Sequence, residues 1–187
     1  QPTQAPSSNQ NPGNPTDFSD IQSLDVRARY LYQQGEYLEA IELWKTIGQK
    51  AALAEAAAEA SDYGITSLAI LAYQAAYEID PEGNALSLAR ALHRNGESAR
   101  ALEILNTASQ VFPRSTLNPS WQVLMGDIYR DQGAWSEAEA AYQSVLAENP
   151  GSAGAWIGMG WLAYQRDGDI VQTVALFERA MAVDPQS

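Results

Sequence analysis

The chain contains no cysteine. Disulfides, thiolate nucleophiles and Cys-ligated metal are therefore excluded, although this absence alone does not fix the redox compartment. There is one histidine, His93. No Ser or Asp stands in a nucleophile-elbow context, and no Gly-rich phosphate loop follows a strand-like run. Basic residues are scarce: 11 Lys and Arg stand against 23 Asp and Glu, a formal charge of −12. That balance argues against nucleic acid as a partner, since such binding relies on clustered Lys and Arg, and against docking on anionic lipid. No apolar run approaches the roughly 18 residues that a membrane-spanning helix needs, so no direct membrane insertion is expected.

What is present is 187 residues, 45% of them hydrophobic, enough for one compact domain or one extended array. Residues 1–18, QPTQAPSSNQNPGNPTDF, are almost devoid of apolar side chains. Such a segment cannot bury enough surface to offset its ordering entropy, and it is expected to be a disordered tail or linker. Order is expected from Ser19, where Ser19 and Gln22 have capping-box spacing. The chain begins at Gln1, which reads as a processed or excised product. Export and a simple fragment boundary fit that start equally, so localisation stays open.

From there one pattern repeats. The stretch Gly133–Pro150, GAWSEAEAAYQSVLAENP, places Ala138 five residues after its glycine, Tyr142 at nine, Val145 at twelve and Pro150 at seventeen. The corresponding glycines are Gly35, Gly64, Gly96, Gly133 and Gly168. Ala40, Ala69, Ala101, Ala138 and Thr173 follow at +5, and Trp44, Tyr73, Leu105, Tyr142 and Phe177 at +9. Pro81, Pro113, Pro150 and Pro185 close four of the five units. Ahead of the glycines, Ala28, Ala57, Ala89 and Gly126 stand at −7, and Gly160 at −8, which predicts an extra residue in the turn around Gln165–Gly168. Each position has a mechanical reason. Glycine turns the chain out of a first helix, small residues let two helices approach, the bulky residue fills the gap, and proline stops the second helix or opens the next. A lone helix pair cannot bury its apolar face, so the units must stack.

This pattern resembles the tetratricopeptide repeat (TPR) family over about residues 20–187. Trp121 and Trp156 stand near the family's Trp position, and Leu53 and Ala85 replace it elsewhere; a Sel1-like or other helical repeat is the competing reading. The resemblance implies an all-α, right-handed solenoid of antiparallel helix pairs, with units at about 20–49, 50–81, 82–118, 119–152 and 153–187. The glycine spacing of 29, 32, 37 and 35 residues departs from the family's usual 34. The short interval predicts that the second helix of unit one ends near Gly48, and the long one predicts a loop at Arg114–Asn118.

The resemblance also implies that first helices line a partner-binding groove. One face of each first helix falls at −6, −3 and −2 from its glycine. That gives Arg29, Tyr32 and Gln33; Ala58, Ser61 and Asp62; Arg90, His93 and Arg94; Asp127, Arg130 and Asp131; and Trp161, Tyr164 and Gln165. Four of the 11 basic residues fall on these 15 of 187 positions, where an even scatter would place about one. Most glutamates fall on second helices. Arg29, Tyr32, Arg90, His93, Arg94, Asp127, Arg130, Trp161 and Tyr164 are therefore the expected groove residues, with arginines meeting acidic groups and aromatics anchoring the segment. The competing expectation pairs Arg90, Arg94 and Arg130 with Asp62, Asp127 and Asp131 on neighbouring helices. The groove positions hold neither Lys nor Asn, which argues against the family's carboxylate clamp for peptide C-termini.

No enzyme chemistry and no cofactor are expected. Carboxylate pairs such as Glu137/Glu139 and Asp167/Asp169 read as helix-start residues that meet the helix dipole. The expected role is a protein–protein interaction scaffold with a protein or peptide partner. The alternatives are a self-associating module, a homo-oligomer through an uncapped C-terminal end, and the regulatory or targeting arm of a longer enzyme.

Overall fold

In a computed structural model, residues 21–112 and 118–185 are described; the expected N-terminal tail, the Ser19 cap and most of the Arg114–Asn118 loop lie outside them. The described residues form ten α-helices joined as five hairpins: α1 (Ile21–Gln33) with α2 (Tyr37–Thr46), α3 (Lys50–Asp62) with α4 (Thr66–Ile79), α5 (Pro81–Arg94) with α6 (Ser98–Val111), α7 (Pro119–Asp131) with α8 (Trp135–Glu148), and α9 (Ala153–Asp167) with α10 (Ile170–Val183). The described residues divide into two compact units, one up to Gln49 and one from Lys50 on.

The hairpin turns follow from backbone sterics. Gly64 has φ +72°, a left-handed conformation that a Cβ disfavours, and the next residue, Ile65, then donates its N–H to the Ala60 carbonyl at 2.8 Å. The same closing bond runs from Glu36 to Leu31, Glu97 to Leu92 and Ala134 to Tyr129. Gln49 N–H to Trp44 O at 2.8 Å ends α2 in the same way, beside Gly48. The fifth turn is a correction to the expectation. The extra residue lies in the helix, since α9 runs on to Asp167, and the turn is shortened to Gly168 and Asp169. There a single bond from Gly168 N–H to Tyr164 O at 3.0 Å closes the helix.

Helix starts are equally local. Pro81 and Pro119 occupy the first turns of α5 and α7, where their missing N–H costs nothing. Asp80, Asn118, Ser152 and Asp169 accept N–H groups of the following turn.

In the first unit, Ala28 and Ala40 are fully buried and Trp44 donates its indole N–H to Asp25 Oδ1 at 2.8 Å. In the second unit, Leu88, Leu92, Leu105, Trp121, Leu124 and Ile128 form one apolar core across α5, α6 and α7. Tyr142 of α8 is a wedge between two helices. A Cβ built on Gly126 of α7 would lie 2.5 Å from its ring, and one on Gly158 of α9 would lie 2.3 Å away. Gly160 makes the same concession to Phe177, at 2.5 Å. Glycine in a helix interior costs about 1 kcal/mol relative to alanine, so these three mark backbone-to-ring contact that any larger residue would block.

Candidate functional site

Within the second unit, α5 packs on α7 and α7 on α9, which sets three first helices side by side. A cavity of about 440 Å³ opens across them, lined by Arg90, His93 and Arg94 of α5, Val123 and Asp127 of α7, and Gly154 of α9, among others. A second cavity of about 220 Å³ continues from Arg90 and Arg94 to Ala58, Ser61 and Asp62 of α3. The residues one and two turns further back, Leu86, Ser120 and Val123, also line these cavities and were missed by the −6, −3, −2 rule. Extending the same helical face to −10 and −13 would have found them.

The charged residues at this face divide into two sets. Arg130 turns into the fold. Its Nη1 is 3.1 Å from Asp127 Oδ1, its Nη2 is 2.9 Å from Asp131 Oδ1, and its side chain is only 13% exposed. Tyr142 Oη donates to Asp127 Oδ1 at 2.7 Å. Burial pushes the Asp127 carboxyl above the ordinary carboxylate range, against the pull of the Tyr142 hydroxyl and the Arg130 charge. Burial, with the Asp127 charge added, holds the Tyr142 phenol far above its ordinary value. His93 is engaged as well, with Nε2 3.2 Å from Asp131 Oδ2 and Nδ1 3.0 Å from Ser98 Oγ. Arg130 is thus paired, but with Asp127 and Asp131 of its own helix and not with a carboxylate of a neighbouring one, whereas His93 of α5 reaches across to Asp131 of α7.

Arg90 and Arg94 form the other set. Both are exposed, and among the described residues neither makes an ion pair or a side-chain hydrogen bond, Asp62 included. One turn separates them on α5, and both border the two cavities.

Trp161 and Tyr164 are 45% and 50% exposed on α9, with ring centroids 6.2 Å apart. Trp161 also meets Phe177 edge-on at 5.5 Å, which fixes its orientation without covering it. Arg29 and Tyr32 belong to the first unit. Arg29 Nε is 3.1 Å from Asp25 Oδ2, and the half-buried Tyr32 ring packs on Tyr37 and Trp44 at 4.9 and 5.5 Å.

Of the acidic pairs singled out in the sequence, Glu137 stands in the first turn of α8, and the other three residues are engaged. Arg166 bridges Glu139 and Asp167, each at 2.8 Å, and Asp169 caps α10 through Gln172 N–H at 2.9 Å. Asp167 ends α9 and does not start a helix, so its charge is offset by Arg166 and not by a helix N-terminus. Among the described residues no group of three or more His, Asp or Glu is placed to hold a metal ion, and no helix is long and apolar enough to cross a membrane.

Five helix hairpins with glycine turns, small residues at the crossings and an aromatic wedge define a tandem helical-repeat protein. In comparison with known proteins, residues 123–187 match the tetratricopeptide repeat family model, and the ten helices fit tandem tetratricopeptide repeats. No curated protein sequence matches the chain. Similar solved structures include YrrB, a TPR protein with an unusual peptide-binding site, at 16% identity and a TM-score of 0.60, covering 91% of this chain and 89% of that one. TTC0263, a thermophilic TPR protein of Thermus thermophilus, is 22% identical with a TM-score of 0.62, covering 90% and 93%. PilW, a type IV pilus biogenesis factor, is 17% identical with a TM-score of 0.65, covering 87% and 77%. At these identities the likeness is one of fold.

Proposed function

We propose that this chain is a non-catalytic scaffold that binds an acidic segment of a partner protein along the face formed by α3, α5, α7 and α9. The observation that carries this reading is the state of Arg90 and Arg94. They are exposed cations without partners at the edge of two cavities, on a chain whose net charge is −12. In so acidic a protein, carboxylates are the most abundant available counter-charges, yet none is drawn to these two guanidinium groups. Arginine matches a carboxylate bidentately, and within a Debye length of about 8 Å the local charge outweighs the net charge. The peptide-binding site of YrrB, a protein of the same fold, is consistent with this use of the scaffold.

The test is a pull-down from the source lysate with wild type beside Arg90→Glu/Arg94→Glu, after circular dichroism has shown the variant to be helical. A partner held by wild type and lost by the variant supports the reading. Equal retention by both refutes it and moves the site elsewhere on the molecule.

A second reading, self-association, is favoured by α10, where Ile170, Val174 and Met181 share one stripe and are 65%, 48% and 55% exposed. Sedimentation velocity over a range of concentrations tests it, and a concentration-independent monomer refutes it.

A further inference from the structure

Arg90, Asp127 and Trp161 each directly follow a small residue at the corresponding place in its first helix: the fully buried Ala89, and Gly126 and Gly160, which lie against rings of their own second helices. They therefore occupy one register on three successive, packed first helices, α5, α7 and α9. Read across the helices, that row is an unpaired cation, a carboxylate, and an exposed aromatic. Its three members ask for different chemistry.

At α5, Arg90 and Arg94 stand one turn apart, so two carboxylates, or one held from both sides, satisfy them. At α7, Asp127 borders the cavity with Oδ1 already accepting from Tyr142 and Arg130. A second carboxylate beside it would be repelled, whereas an N–H, hydroxyl or ammonium donor finds remaining lone pairs. At α9, Trp161 and Tyr164 offer an apolar edge held from behind by Phe177, the kind of rigid aromatic surface on which binding energy concentrates.

Resting on the reading of this face as a partner groove, we propose that it selects an extended segment with three ordered parts: paired carboxylates, then a donor or cationic group, then an aromatic or aliphatic side chain. Neighbouring helix axes lie about 8–10 Å apart, so Arg90 and Trp161 are separated by roughly 16–20 Å. At about 3.3 Å per residue, an extended chain covers that span in five or six residues. The acidic and apolar ends of the segment are thus separated by a spacer of four or five residues. The order is fixed by the protein: an acidic group placed mid-segment meets Asp127, and an apolar group at the acidic end leaves Arg90 and Arg94 unsatisfied.

The experiment uses fluorescein-labelled synthetic peptides of the form Glu-Glu, a Gly/Ser spacer of two to ten residues, and Phe-Leu, titrated with the full chain by fluorescence polarisation. Affinity is expected to peak at spacers of four or five. A mid-spacer Lys should strengthen binding and a mid-spacer Glu weaken it. Arg90→Glu/Arg94→Glu should lower affinity roughly ten- to a hundredfold, as expected for loss of charge-assisted bonds. Trp161→Ala should lower it about tenfold. Tyr164→Ser serves in its place if removal of Trp161 disturbs Phe177 enough to melt α10.

If the arginine variant loses binding but spacer length, Phe-Leu and Trp161 have no effect, the three-part segment is wrong and the acidic groove stands. If the arginine variant binds every peptide as wild type does, both readings fall. Absence of binding at millimolar protein for every spacer overturns the three-part segment as well.

Discussion

Two glycines four residues apart on α9 should respond oppositely to the same substitution. Gly158 lies in the helix interior, and alanine there would improve intrinsic helix propensity by about 0.8–1.0 kcal/mol. Against that gain, the new Cβ would lie 2.3, 2.5 and 2.8 Å from three atoms of the Tyr142 ring. The ring cannot yield. It is fully buried, Gly126 closes its other approach, and its hydroxyl is tied to Asp127 at 2.7 Å. Overpacking a filled site costs about 1–3 kcal/mol, and three overlaps without a relaxation route place this one near the upper end. The net expectation for Gly158→Ala is a loss of about 2 kcal/mol. For a domain of this size that is a fall in Tm of about 4–8 °C. Gly154, by contrast, has only Val123 Cγ1 at 3.7 Å, an ordinary contact, so Gly154→Ala should be neutral or stabilising by up to about 1 kcal/mol. Thermal and urea unfolding followed by far-UV circular dichroism measure both. The double variant Gly158→Ala/Tyr142→Leu, compared with Tyr142→Leu alone, should recover the propensity gain, because the smaller side chain vacates the overlap. If Gly158→Ala is as stable as wild type in the presence of Tyr142, the wedge does not explain the glycine and the reasoning is wrong.

Tyr142→Phe should cost about 1.5–3 kcal/mol at neutral pH by removing a hydrogen bond to a charged acceptor. The Tyr142 hydroxyl lowers the pKa of Asp127, which burial raises, so the penalty belongs to the ionised carboxylate. The difference between variant and wild type should therefore shrink as pH falls through the range above 3.8 in which Asp127 takes up its proton; a pH-independent difference counts against this pairing. Asp80 has the opposite sign. Lys50 Nζ at 2.8 Å, then the Gly83 N–H, lowers its pKa below 3.8, so its contribution is present above that value and is lost as pH falls through its folded pKa. Asp80→Ala should cost about 0.5–2 kcal/mol at pH 7 through the lost cap, and equal stability of variant and wild type there would remove the cap from the account. Gly64→Ala, at φ +72°, should cost about 1–2 kcal/mol although nothing lies within 4 Å of the added methyl; a tolerated alanine would show that the turn has another conformation.

The sequence by itself determined the hairpins, because each depends on interactions within a few residues. A left-handed glycine followed by a bond to the carbonyl five residues back needs nothing from the rest of the molecule, and neither does proline in a first helical turn. Buried Ala28, Ala57 and Ala89 were legible for the same reason, since their spacing from the glycine fixes which helical face they occupy. The fifth turn escaped because a residue count cannot say whether an insertion lengthens a helix or a loop. Gly158 escaped although two glycines in one helix interior, Gly158 and Gly160, signalled a close approach. What they approach, a ring from one second helix and a ring from another, exists only after folding.

The tertiary structure alone decided which charges remain available at the candidate face. Arg90, Arg94 and Arg130 look alike in sequence, each on the same face of a first helix. Arg130 has Asp127 and Asp131 within reach on its own helix and Tyr142 beneath it, while Arg90 and Arg94 face cavities. Ion pairing is a matter of a few ångströms between side chains on packed helices, and its strength falls with both distance and exposure. Helical periodicity gives the direction in which a side chain leaves its helix; only packing sets what it meets there.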